Sequence, residues 1–146
     1  MKHTICAYYI PVPTYTENGL LEENAIPRTI WIEDDYKTLS SFVGGLIERI
    51  SIPIDDEVVL NFWFNESGKV LDLPPSAVVV NNDGEIIDYI CGNTIIIAST
   101  QDKETFDEFN VSLLAAMVEK LINEIVLPIK TVAIGENNVH LAIKMP

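Results

Sequence analysis

Two short runs of acids, Asp34-Asp35 and Asp55-Asp56-Glu57, come closest in this chain to a pattern that does chemistry. Clustered carboxylates are hard oxygen ligands for hard cations, and a pair of them can divide acid and base roles. Neither run has the alternating spacing of a calcium-binding loop, so helix capping and turn formation account for both more simply. Other chemistries are poorly supplied. His3 and His140 stand alone near opposite ends, and no HExxH or Cys/His cluster offers the ligands of a zinc site. Cys6 and Cys91 are too far apart for a CxxC motif and lie in apolar, strand-like sequence, as free thiols do in a reducing compartment. GxSxG, GxxxxGK[ST] and GxGxxG are all missing, which leaves no support for a serine-hydrolase elbow or a phosphate-cradling loop. The expectation is a protein without catalytic residues, metal or cofactor.

Charge is more informative. Nine Lys and Arg stand against 22 Asp and Glu, a formal net charge of −13. Direct binding to a nucleic-acid backbone needs a dense cationic face and is disfavoured, whereas attraction to the basic surface of another protein is favoured. At 146 residues, 48% of them hydrophobic, the chain fits one folded domain spanning 1–146 and excludes a disordered one. No apolar run approaches the ~20 residues that span a bilayer, and no signal-peptide pattern opens the sequence. A cytosolic protein that avoids membranes is expected.

The elements that must position these acids read as a series of short strands. Thr4–Ile10, Pro27–Glu33, Leu46–Ile52 and Glu57–Phe64 are β-prone, as are Ala77–Val80, Glu85–Cys91 and Thr94–Ala98. Asp83-Gly84 joins two of them in a hairpin. Lys69–Leu73 reads as extended, and Lys69 is within reach of Glu66 for an exposed ion pair. A short helix covers Tyr36–Val43, capped by the acids before it and ended by Gly44-Gly45. A long helix is expected from Thr105, where Thr105-Phe106-Asp107-Glu108 matches a capping box, to Pro128. Its apolar face would be Val111, Leu114, Ala115, Val118, Leu121, Ile122 and Ile125. A hairpin of Ile129–Ile134 and Asn138–Ile143 closes the chain. The fold class is therefore α+β, a mostly antiparallel sheet with one short and one long helix. Unpaired strand edges leave room for a homodimer.

The middle of the chain resembles a family of small phage and plasmid proteins known only as a domain of unknown function. The resemblance rests on Val43-Gly44-Gly45-Leu46-Ile47-Glu48, Asn65-Glu66-Ser67-Gly68-Lys69 with Leu73-Pro74-Pro75, and Gly92 before Ile95-Ile96-Ile97. It covers Ile30 to Ala98, so the helix and hairpin of 105–146 fall outside it. Ser76 stands where the family usually has Asn. The resemblance implies a mobile-element origin and carries no catalytic residue; each motif also has a structural explanation as a turn or a helix exit.

Two functional readings follow. In the first, a negative ridge imitates phosphates and occupies a basic groove on a host protein, inhibiting or modulating host defence. Its acids would be Asp107, Glu108, Glu119 and Glu124 on the long helix, extended by Asp34, Asp35, Asp55, Asp56 and Glu57. In the second, the protein is a sponge for a nucleotide-derived immune signal, held by Arg28, Arg49, Lys69, Asn65 and Asn93 with Trp31 and Trp63 for stacking. Having only two arginines weakens the second reading, because the planar guanidinium suits phosphate best. A third is a structural accessory of a mobile-element complex.

Overall fold

The structure, a computed structural model, describes residues 3–81, 83–134 and 137–142, with side chains up to Val126. Period-two alternation builds the larger sheet. In β1 (Thr4–Ile10) Ile5 and Ala7 point to one face, while Tyr8 and Ile10 point to the other. The central strand β7 (Thr94–Gln101) divides likewise into Ile95 and Ile97 against Ile96 and Ala98, so it is buried on both sides. Along one edge β7 pairs with β4 (Val59–Asn65), which in turn pairs with β3 (Ile47–Pro53). Along its other edge β1 takes the first half of β7 and β8 (Glu108–Val111) takes the second. Beyond β1 lies β2 (Arg28–Glu33), and every pairing is antiparallel.

Helix α1 (Tyr36–Val43) covers the face carrying Ile5, Ile32, Ile95 and Ile97, with Leu39 and Val43 turned inward. Asp35 caps it, its carboxylate accepting the Thr38 N–H at 2.7 Å, and Gly44 ends it in the left-handed region at φ 80°. The opposite face packs on a second antiparallel sheet of order β10-β9-β5-β6. Its strands are β5 (Pro75–Val80), β6 (Ile86–Cys91), β9 (Val126–Ile134) and β10 (Asn137–Ala142). Leu60, Phe62 and Ile96 from one sheet meet Ala77, Val79 and Ile90 from the other, and Leu121 and Ile125 close the end of this core. Each such large side chain stabilises the fold by about 1.5–3 kcal/mol.

The α+β class and the antiparallel sheets follow the sequence reading, but the long helix does not form. Asp102 takes the N–H groups of Glu104 and Thr105, so Thr105 lies in a tight turn rather than at a helix start, and Phe106 follows at φ 62°. The second half of β7 then recruits Glu108–Val111 as a strand, and the Ser112 hydroxyl and Leu113 N–H bond to the Cys6 backbone. Pairing an open strand edge outweighs the local helical signal. What remains helical is α2 (Ala115–Lys120), which has no side-chain cap, and a π-helical turn over Leu121–Ile125. Pro128 does not stop that helix: it lies inside β9, opposite Ala77.

Lys69–Leu73 is likewise not extended. Leu71, Asp72 and Leu73 donate backbone N–H groups to Ser67, Lys69 and Gly68, coiling the segment into turns with Asp72 at φ 54°. This swings Lys69 away from Glu66 and onto Asp88, 2.6 Å away. The terminal hairpin forms as β9 and β10, with residues 135, 136 and 143–146 outside those described.

Candidate functional site

Where β3 turns into β4 and β7 into β8, the α1-side face of the larger sheet opens into a cleft of about 500 Å3. Pro53, Val59, Ser99 and Gln101 form its floor. Asp55, Asp56 and Glu57 wall it on one side; Asp102, Lys103 and Phe106 wall it on the other, and Glu108 enters from β8. Thus, among the described residues, five carboxylates border the cleft with one ammonium, that of Lys103.

Both walls are fixed by carboxylates that cap their own turns. Asp55 accepts the N–H groups of Glu57 and Val58, each at 2.7 Å, and these bonds hold its carboxyl below the usual value. Asp102 does the same with Thr105 and Glu104, at 3.0 and 2.8 Å, and its carboxyl is lowered for the same reason. The loops are stitched together: the Thr100 hydroxyl donates to the Glu57 carbonyl at 2.6 Å, and Lys103 approaches Glu57 at 3.6 Å. A hydrogen-bonded chain continues from the floor along the same face of the sheet, Ser51 Oγ donating to Asn61 Oδ1 and Asn61 Nδ2 to Ser99 Oγ, both at 2.7 Å. Asn61 is fully buried. Across the cleft's inner end, Arg49 of β3 donates to Glu108 of β8 while lying over the Trp63 ring.

Of the acids expected on a recognition surface, the cleft gathers Asp55, Asp56, Glu57 and Glu108. Asp107 is exposed in the same loop, its carbonyl accepting the Asp102 N–H. Asp107 and Glu108 do not share a helix face with Glu119 and Glu124, because their segment is loop and strand. Glu119 is exposed on α2, and Glu124 pairs with Lys120 at 3.7 Å. Asp34 accepts from Asn110 at 2.6 Å and Asp35 caps α1, which ties both to the scaffold. Asp102, Lys103 and Phe106 were not legible as site residues, because the capping-box reading placed 105–108 on a helix; the run Asp102-x-Glu104-Thr105, an acid two and three residues before available amides, is the signal that locates the turn.

The residues of the alternative ligand pocket do not converge. Register places Arg49 opposite Trp63, whose indole N–H is buried with no partner. Arg28 lies at the far edge, over Tyr9 and bonded to the Asn24 and Ile26 carbonyls; Trp31 is 71% exposed on the other face of β2. Asn65 and Lys69 border a cavity of about 120 Å3, well below the roughly 300 Å3 at which ligand pockets begin. Asn65 and Asn93 are structural ties: Asn65 accepts the Ser67 N–H at 2.8 Å, and Asn93 joins the Val12 N–H to the Phe42 carbonyl. Ser76 is buried against the Thr94 hydroxyl at 3.2 Å. Among the described residues no three of His, Cys, Asp and Glu come together as a metal site, and no helix is long and apolar enough to cross a membrane.

This is a mostly antiparallel α+β protein whose cleft, among the described residues, is bordered by more carboxylates than ammonium groups. Comparison with known families places it further: the chain belongs to the family described as "Domain of unknown function (DUF3846)", whose model matches residues 19–122. That span exceeds the Ile30–Ala98 resemblance and takes in β8, α2 and both walls of the cleft. No curated protein and no solved structure matches the chain.

Proposed function

We propose that the protein is a non-enzymatic binding module that seizes a basic surface of another protein through the acidic cleft, in the manner of a phosphate mimic. The observation that carries this reading is the convergence of Asp55, Asp56, Glu57, Asp102 and Glu108 around one opening, within a chain of net charge −13. Two separate loops supply the carboxylates, so a lysine or arginine entering between them meets negative charge from both sides. The field of the whole chain speeds the encounter and the cleft fixes where it ends. Phe106, 72% exposed at the rim, adds an apolar contact for the stem of the incoming side chain. The phage or plasmid setting implied by the sequence motifs suits a role against a host defence protein in the cytosol.

The test is affinity capture from cells of a host carrying such elements, using the full chain. The expected partner is basic, is lost as salt rises, and is lost when Asp55, Asp56 and Glu57 are changed together to Lys. Glu119→Lys, outside the cleft, leaves capture nearly intact. Capture indifferent to salt and to the triple reversal overturns the reading, as does turnover of a substrate by the pure protein. Release of a nucleotide from the heated protein favours the sponge in its place.

A further inference from the structure

The smaller sheet ends at β6, and among the described residues no strand lies beside its outer edge. Its six residues, Ile86-Ile87-Asp88-Tyr89-Ile90-Cys91, contain no Pro or Gly and a single charge. Ile86, Ile87 and Tyr89 are 67%, 48% and 49% exposed. A short, β-prone, nearly uncharged segment of this kind on a sheet edge is a template for pairing with another copy of itself. The two outer strands of the larger sheet differ. The outer strand β3 carries Glu48, Arg49 and Pro53, and β2 carries Arg28 and Glu33, which are the usual guards against edge-to-edge association.

On β6 the register slips at Ile87, and beside that irregularity Asp88 guards the edge. The Asp88 carboxylate accepts the N–H of the next residue, Tyr89, at 2.8 Å and so occupies a donor that a pairing strand would need. The same oxygen accepts from Lys69 Nζ at 2.6 Å, and that ammonium sits 4.2 Å from the centroid of the Tyr89 ring. Lys69 reaches there because the 66–72 segment is coiled rather than extended. The charge is thus held over the strand, where it blocks the backbone and keeps it hydrated.

We propose that Asp88, clamped by Lys69, is a latch that keeps β6 from pairing antiparallel with β6 of a second copy of this chain. With the latch in place, this isoleucine-rich edge is kept from pairing. It also assigns a purpose to the coiled turn that carries Lys69.

Sedimentation velocity of the full chain over a concentration series tests this with Asp88→Val and the isosteric Asp88→Asn, each compared with the native chain under the same conditions. Asp88→Val is expected to at least double the mass at the upper concentrations. Asp88→Asn, which keeps an acceptor but loses the charge, is expected to shift the mass in the same direction by less. Adding Ile87→Lys to Asp88→Val restores a charge to the edge and returns the mass to the native value. The proposal is overturned if Asp88→Asn, folded by circular dichroism, matches the native mass throughout, or if Ile87→Lys fails to reverse the association, which then lies elsewhere.

Discussion

Arg49 and Glu108 form an ion pair although three strand spacings, β3 to β4 to β7 to β8, lie between them. Laid flat, those spacings amount to roughly 14 Å, more than the two side chains bridge after allowing for their offset along the strands. The pair therefore reports that this part of the sheet curls, concave toward the side that α1 also covers. The cleft is the mouth of that curl. Both partners are more than a third exposed, so solvent screens the pair and its contribution is about 0–1 kcal/mol. A double-mutant cycle of Arg49→Ala and Glu108→Ala in urea should give a coupling of about 0.2–1 kcal/mol at low salt that fades in high salt; zero coupling at low salt refutes the clasp. Arg49→Ala should cost slightly more than Glu108→Ala, since it also strips the guanidinium from Trp63.

Asn61 sits where a β-strand would ordinarily carry a hydrophobic residue, and it earns that place by bonding to Ser51 and Ser99. Asn61→Ala leaves the buried Ser99 hydroxyl without its donor, which costs about 1–3 kcal/mol. Ser51→Ala strips the fully buried Asn61 Oδ1 of its donor and should also cost about 1–3 kcal/mol by the same accounting. Urea midpoints measure both. A neutral effect of either substitution would mean that the buried groups it orphans find other partners, and that the chain from Ser51 to Ser99 does not hold the sheet there.

The sheet was legible in the chain because it rests on local signals: alternation in Thr4–Ile10, Asp83-Gly84 at a hairpin, Asp35 and Gly44 at the two ends of α1. What failed was a competition between local and distant partners. The 105–125 stretch has helical spacing, and only the open edge of β7, contributed by residues 98–101, turns Glu108–Val111 into a strand. That edge is invisible until the topology is known. The same error hid half of the site. Asp55, Asp56 and Glu57 could be singled out as an acidic run, but their meeting with Asp102 and Glu108 depends on two turns more than forty residues apart folding to one end of the sheet.

Gly44 and Gly68 separate two reasons for glycine. Gly44 has open space around a Cβ but φ 80°, so Gly44→Ala costs about 1–2 kcal/mol from the left-handed backbone alone. Gly68 lies against the Cys91 carbonyl oxygen, where a Cβ would overlap backbone that cannot swing aside. Gly68→Ala should therefore reach the upper end of the about 1–3 kcal/mol typical of overpacking, and it should disturb the neighbouring Lys69 contact with Asp88. Thermal unfolding of the two variants ranks them. A smaller loss at Gly68 than at Gly44 contradicts the packing argument.

The cleft walls should loosen in acid. Backbone N–H groups of Glu57 and Val58 bond the charged form of Asp55, and those of Thr105 and Glu104 bond that of Asp102, so both carboxyls lie below their ordinary 3.8 in the folded protein. A depressed folded value means that each carboxylate stabilises its turn at any pH above 3.8, and that this stabilisation disappears as pH falls through the lower, folded value. Followed by NMR, the amide shifts of Glu57, Val58, Glu104 and Thr105 should titrate with midpoints below 3.8, and Asp55→Ala should abolish the transition at Glu57 and Val58 only. Midpoints at or above 3.8 would mean that the turns are not held by their own acids.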